Sequence, residues 1–198
     1  YVTDSFQPQI YKIDRATRQV SILVRSARLM PADAPAAAQG TQPYLNGIVY
    51  HPDGYLIAAD YTRGLLWKVT LDNASAISEI RLPQRLKGPA GLRLKNAHEL
   101  VIVQSYPGRK GGMSGNVTLL ASSDGWASAH LAAVATPPGL DGPTGAALRD
   151  GEVWVVNSRY PRLFADVAQA ERTRTFSIVR VALERRPADR RWLPTQLE

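Results

Sequence analysis

The run Asn46-Gly47-Ile48-Val49-Tyr50-His51-Pro52-Asp53-Gly54-Tyr55-Leu56-Ile57-Ala58-Ala59-Asp60 decides the fold. Two apolar segments flank a Pro-Asp-Gly turn, and glycine supplies the positive φ that a tight hairpin needs. Segments of about five to eight residues rich in Val, Ile, Leu and aromatics read as strands. The same pattern returns twice. Ala90-Gly91-Leu92-Arg93-Leu94 leads through a turn at Lys95 to His98 into Glu99-Leu100-Val101-Ile102-Val103-Gln104. Thr144-Gly145-Ala146-Ala147-Leu148 leads through Arg149-Asp150-Gly151 into Glu152-Val153-Trp154-Val155-Val156-Asn157. Gly47, Gly91 and Gly145 lie 44 and 54 residues apart. That is the period of propeller blades, with the longer interval absorbed by loops.

Each unit continues with two more strands. The second pair is expected at Leu65 to Leu71 and Ile77 to Leu82, then Asn116 to Ala121 and Trp126 to Val134, then Phe176 to Leu183 and Trp192 to Leu197. Pro194 suits only an edge strand in the last of these. Ala165 to Arg172 reads as one short helix inside a loop. At the start, Tyr1-Val2-Thr3-Asp4-Ser5 aligns with Ile57-Ala58-Ala59-Asp60-Tyr61, a second strand, and Gln9 to Asp14 and Gln19 to Val24 follow as third and fourth. The expected fold class is all-β, a β-propeller of four-stranded antiparallel blades, with about four blades of an expected six in a single domain. Residues 1–26 form a partial blade that begins at its second strand, and 46–83, 88–135 and 142–198 form the other three. An upstream portion is expected to complete the ring.

The 198 residues include 44% hydrophobic ones, enough for a core, and no Cys. A disulfide framework and thiolate metal ligands are therefore excluded. No run approaches the ~20 apolar residues of a membrane span, and no targeting signal is visible. The formal charge is +7. It is spread along the chain and densest at Arg185, Arg186, Arg190 and Arg191, without the interleaved aromatics of a single-strand platform. A solvated basic surface, not nucleic-acid binding, is the reading. The histidines His51, His98 and His130 have no metal spacing, no Gly-x-Ser-x-Gly elbow occurs, and the glycines from Gly108 to Gly115 lack P-loop spacing.

The stretch from Asn46 to Asp60, with Tyr1-Val2-Thr3-Asp4-Ser5 and Ile10-Tyr11-Lys12-Ile13-Asp14, resembles the gluconolactonase / senescence-marker-protein (regucalcin) family. These are six-bladed propellers that overlap in pattern with strictosidine-synthase-like proteins. The resemblance implies a lactone or ester hydrolase with one divalent metal, such as calcium, at the channel mouth, and it favours a secreted or periplasmic location. The family's ligands include a first-blade Glu, an Asn in an Asn-Gly step and an Asp in an Asp-Gly step one blade later. Asn46-Gly47 matches the Asn step, which makes Asn46 the metal-ligand candidate. Ala90-Gly91 stands at the Asp step, and alanine offers no oxygen to a cation that takes six to eight. The standard metal-lactonase site is read as degenerate.

Strands alternate direction within a blade, so the residue before a first strand and the end of a second strand emerge on one rim. That rim collects Asn46, Ala90 and Thr144 with Asp4, Asp60, Gln104 and Asn157. It also collects loops carrying Arg109, Lys110, Arg159 and Arg162. The ligand-binding candidates are Asp4, Asn46, Asp60, Gln104, Asn157 and Arg159, expected to bind a small polar or anionic molecule. An architectural role competes for Asp60, Gln104 and Asn157, because the position recurs in every blade and could satisfy backbone groups where a strand ends. The alternatives are a hydrolase with a rearranged metal site, using Asn46 and Asp60 or Asn157, and a protein-interaction scaffold built on the loops.

Overall fold

A computed structural model describes residues 1–30, 43–73, 76–107, 113–160 and 167–185. They form four antiparallel sheets in chain order. The first is β1 (Val2–Thr3), β2 (Gln9–Ile13) and β3 (Val20–Arg25). The second is β4 (Leu45–His51), β5 (Tyr55–Asp60), β6 (Leu65–Thr70) and β7 (Ile77–Glu79). The third is β8 (Pro89–Asn96), β9 (Glu99–Pro107), β10 (Met113–Ala121) and β11 (His130–Ala135). The fourth is β12 (Pro143–Arg149), β13 (Glu152–Asn157) and β14 (Ser177–Val181). A five-residue helix α1 (Val167–Glu171) lies between β13 and β14. The chain folds as β-propeller-like blades, two of them four-stranded and two partial among the described residues. The sequence segment Trp192 to Leu197 lies outside the described residues.

Side chains alternate across each strand with period two, and the central strands bury both faces. In β5, Leu56 and Ala58 face the first sheet, while Tyr55, Ile57 and Ala59 face the third. In β9, Leu100 and Ile102 face the second sheet, while Val101 and Val103 face the fourth. Three apolar layers therefore separate the four sheets, as a propeller requires. Trp67 and Trp126 are buried in these layers. Trp154 is not, because it lies on the face of the fourth sheet turned away from the third. No helix among the described residues is long and apolar enough to cross a membrane.

The recurring glycine has a steric cause. A Cβ on Gly47 would sit 2.2 Å from the Ala90 carbonyl oxygen, and one on Gly91 would sit 2.6 Å from that of Thr144. Innermost strands of successive sheets thus touch backbone to backbone, and only glycine fits. Each inner strand also breaks register at this point, between Leu45 and Ile48, Pro89 and Gly91, and Pro143 and Gly145. Such bulges re-aim the residue that carries them. The device recurs in all three blades at Asn46, Ala90 and Thr144.

Candidate functional site

The far rim is locked. His51 is buried, its Nε2–H donating to the Ala97 carbonyl at 2.9 Å and its Nδ1 accepting from the Asp53 N–H at 3.2 Å. The same Ala97 carbonyl accepts from Trp126 Nε1 at 2.9 Å. His51 stacks on Tyr55 at 4.2 Å, and the Lys68 ammonium sits 4.0 Å over the other ring. Burial, followed by the charge of Asp53, pushes the Tyr55 phenol up to about 12. Through the Ala97 carbonyl, His51 joins the second blade to the third at this rim.

At the opposite rim, the repeat position expected to end each second strand is tied into its own blade, although β9 runs on past Gln104 to Pro107 and β1 stops one residue before Asp4. The buried Asp60 carboxylate accepts from the Arg63 backbone N–H at 2.9 Å and from Arg63 Nε at 2.7 Å, and the Trp67 indole lies at 3.5 Å. Asp4 accepts from the N–H groups of Phe6 and Gln7 at 3.0 and 3.1 Å. Both carboxylates therefore close the turn that leaves the strand. Gln104 accepts from the Lys87 N–H at 2.6 Å and donates to Asn116 and Thr118 at 2.6 and 2.8 Å. Asn157 accepts from the Asp141 N–H at 3.0 Å and donates to the Gly139 carbonyl at 2.7 Å. These two fasten the segment leading into the first strand onto the end of the second.

The bulged residues behave differently. Asn46 and Thr144 open onto a cavity of about 360 Å³ at this rim, also lined by Ser5, Phe6, Pro43, Ser158 and Tyr160. Ser5 and Ser158 directly follow Asp4 and Asn157, so the residue after each strand-closing anchor faces the mouth. Ala90, the third bulged residue, is buried. Arg159 lies between two lining residues but turns away. Its Nε is 3.2 Å from Asp141 Oδ2, and its guanidinium donates to the Thr175 carbonyl at 3.2 Å. The backbone of Arg159 is left-handed, with φ 54°, a conformation that costs a non-glycine residue of order 1 kcal/mol or more. It sets Tyr160 on the cavity wall, where the Tyr160 N–H donates to Ser158 Oγ at 3.1 Å. Arg109, Lys110 and Arg162 lie outside the described residues.

Of the six ligand-binding candidates from sequence, the cavity takes in Asn46 alone. Thr144 of β12 shares the repeat position of Asn46, Ser5 and Ser158 share another, and the remaining walls come from loops whose reach no spacing rule gives. The lining holds four hydroxyls, one carboxamide, the ring of Phe6 and the pyrrolidine of Pro43, the Tyr160 ring carrying one of the hydroxyls. Among the described residues it holds no Asp, Glu, His, Lys or Arg. A calcium site wants six to eight oxygens, carboxylates among them. The donor set here does not fit one, and no group of three or more His, Asp or Glu among the described residues could hold a metal.

No family model matches the chain, and no curated protein matches it. Among solved structures it is similar to a catalytically inactive virginiamycin B lyase from Staphylococcus aureus with quinupristin, at 12% identity and a TM-score of 0.41. The match covers 77% of this chain and 57% of that one. At this identity nothing about chemistry carries across, and the fold assignment stands on the sheets themselves.

Proposed function

We propose that this propeller binds a small, uncharged, hydroxylated ring compound at its channel mouth, of the sugar or sugar-lactone class. The observation that carries the reading is the lining of the 360 Å³ cavity, where Ser5, Asn46, Thr144 and Ser158 supply neutral donors and acceptors beside Phe6 and Tyr160. A volume in the low hundreds of Å³ suits a small-molecule ligand. Neutral hydrogen-bonding groups reward hydroxyls and reject charge, because a buried charge without a partner is costly. Arg159, the cation nearest in sequence among the described residues, is engaged by Asp141, which leaves the described lining neutral. The resemblance to gluconolactonases points to the same ligand class, whereas a metal-assisted hydrolysis finds no carboxylate set here.

The test is calorimetric titration of the full chain with glucono-δ-lactone and glucose, with gluconate as the charged comparison. The neutral rings are expected to bind, gluconate is not, and Asn46→Ala or Thr144→Val should weaken binding about tenfold, the effect of losing one hydrogen bond of ~1.4 kcal/mol. Binding of gluconate alone, or of the neutral rings undiminished in both variants, refutes the reading.

A further inference from the structure

The segment that follows β13 is tied to the segment that precedes β12. Asn157 accepts from the Asp141 N–H and donates to the Gly139 carbonyl, and Ser158 Oγ donates to the Gly142 carbonyl at 3.2 Å. Arg159 comes next, with its Nε 3.2 Å from Asp141 Oδ2 and its guanidinium bonded to the Thr175 carbonyl. Ser158 and Tyr160, on either side of Arg159, line the cavity, whereas Arg159 does not.

Arg18, Trp126 and Asp150 are the other non-glycine residues with positive φ among the described ones. All three lie in short turns between paired strands. Arg159 instead lies in the long connection from β13 to β14, where no hairpin demands a left-handed residue. That conformation disfavours a non-glycine residue about fivefold or more. The Arg159 and Asp141 side chains are 29% and 32% exposed, so solvent screens their pairing, which returns about fivefold at most. Cost and gain nearly balance, and the turn depends on the pair. Tyr160 is 55% exposed and depends on the turn.

We propose that Arg159 is a positioning residue for the cavity. Clasped by Asp141 and the Thr175 carbonyl, it holds the left-handed turn that presents Tyr160 to the ligand. Its charge serves the protein and not the ligand, which is why a cation beside a neutral site is compatible with an uncharged ring. For the identity of that ligand the proposal rests on the function proposed above; for the state of the turn it does not.

The experiment compares the full chain with Arg159→Ala and Arg159→Gly. One readout is calorimetric titration with glucono-δ-lactone. The other, taken without ligand, is the protection of the Tyr160 amide against hydrogen exchange, since that N–H donates to Ser158 Oγ. Alanine removes the clasp and keeps the strain, so affinity and protection should each fall about fivefold. Glycine removes the clasp and the strain together, and should bring both back to within about twofold of wild type. A merely structural or ligand-contacting arginine predicts that glycine is at least as damaging as alanine. That result overturns the proposal, as does alanine matching wild type in Tyr160 protection. If wild type binds no neutral ring, the proposed function falls, and the order of Tyr160 protection alone decides for or against the clasp.

Discussion

Replacing Gly47 with alanine tests the inner ring directly. The new Cβ would lie 2.2 Å from the Ala90 carbonyl oxygen, 3.0 Å from the Leu92 nitrogen and 3.1 Å from Leu92 Cγ. A carbon and a carbonyl oxygen rest roughly 3.3 Å or more apart, so β4 and β8 must separate by about 1 Å. The obstructing atom is backbone inside a sheet and cannot swing aside. Overpacking of this kind costs typically 1–3 kcal/mol and occasionally more; with a strand on each side to move, we expect about 3 kcal/mol. For a domain of this size 1 kcal/mol shifts Tm by ~2–4 °C, so the variant should melt ~6–12 °C lower. Gly145→Ala is the matched control. Its Cβ would meet only Val156 Cγ1, at 3.6 Å, and alanine restricts the unfolded chain, which can stabilise by ~0.4–1 kcal/mol. Thermal unfolding followed by tryptophan fluorescence compares the two. Equal melting temperatures for Gly47→Ala and Gly145→Ala would sink the idea that the repeat glycine exists for contact between inner strands.

Gln104→Ala strips a partner from the Lys87 N–H, Asn116 and Thr118, and at ~1–3 kcal/mol for each buried group left unpaired it should lower the urea midpoint clearly, whereas Asn46→Ala should leave it almost unchanged. A raised phenol pKa favours the folded state below pH 10, and that contribution is lost as pH rises through about 12. Tyr55→Phe should therefore flatten the fall in stability above pH 10; a parallel fall in variant and wild type, followed by urea titration, would contradict this.

The fold was legible because its two sequence signals have direct mechanical causes. The glycine period follows from the carbonyl contacts at Gly47 and Gly91, and the strand pattern follows from burial on both faces of β5 and β9. Boundaries were less legible. Trp126 reads as the start of a strand, yet β11 begins at His130. Ser122 Oγ accepts from the Trp126 N–H at 3.0 Å, and Asp124 accepts from the Ser128 N–H at 2.9 Å. This side-chain-capped turn puts Trp126 at φ 63° and competes successfully with strand pairing. Within the expected Ala165 to Arg172, Val167–Glu171 is helical, Arg172 is not, and residues 165 and 166 lie outside the described residues. Asn46, where a polar residue precedes the repeat glycine, is the sequence candidate that lines the cavity. Arg159 looked like a free cation because its partner Asp141 lies in a different loop, and no local spacing reveals that pairing.

A division of labour along the repeat explains why reading and structure diverge at this rim. The repeat position shared by Asp4, Asp60, Gln104 and Asn157 answers backbone groups that the sheet leaves unpaired, and all four accept from a backbone N–H. Polarity at that position is therefore required in every blade, and it carries little information about a ligand. The next residue is under no such demand. It is Ser5, Tyr61, Ser105 and Ser158 in turn. Two of these face the cavity. A third, Tyr61, gives its hydroxyl to the Ser105 carbonyl at 2.7 Å and bridges the second and third blades; burial raises its phenol pKa. The residue before the repeat glycine also varies, from Asn to Ala to Thr, with Ala90 buried and Asn46 and Thr144 lining the cavity. On the proposed function, ligand specificity would reside at positions adjacent to the strand-closing ones. Ser5→Ala and Ser158→Ala should therefore alter ligand preference while leaving the melting temperature within a few degrees, as expected for changes of about 0.5 kcal/mol.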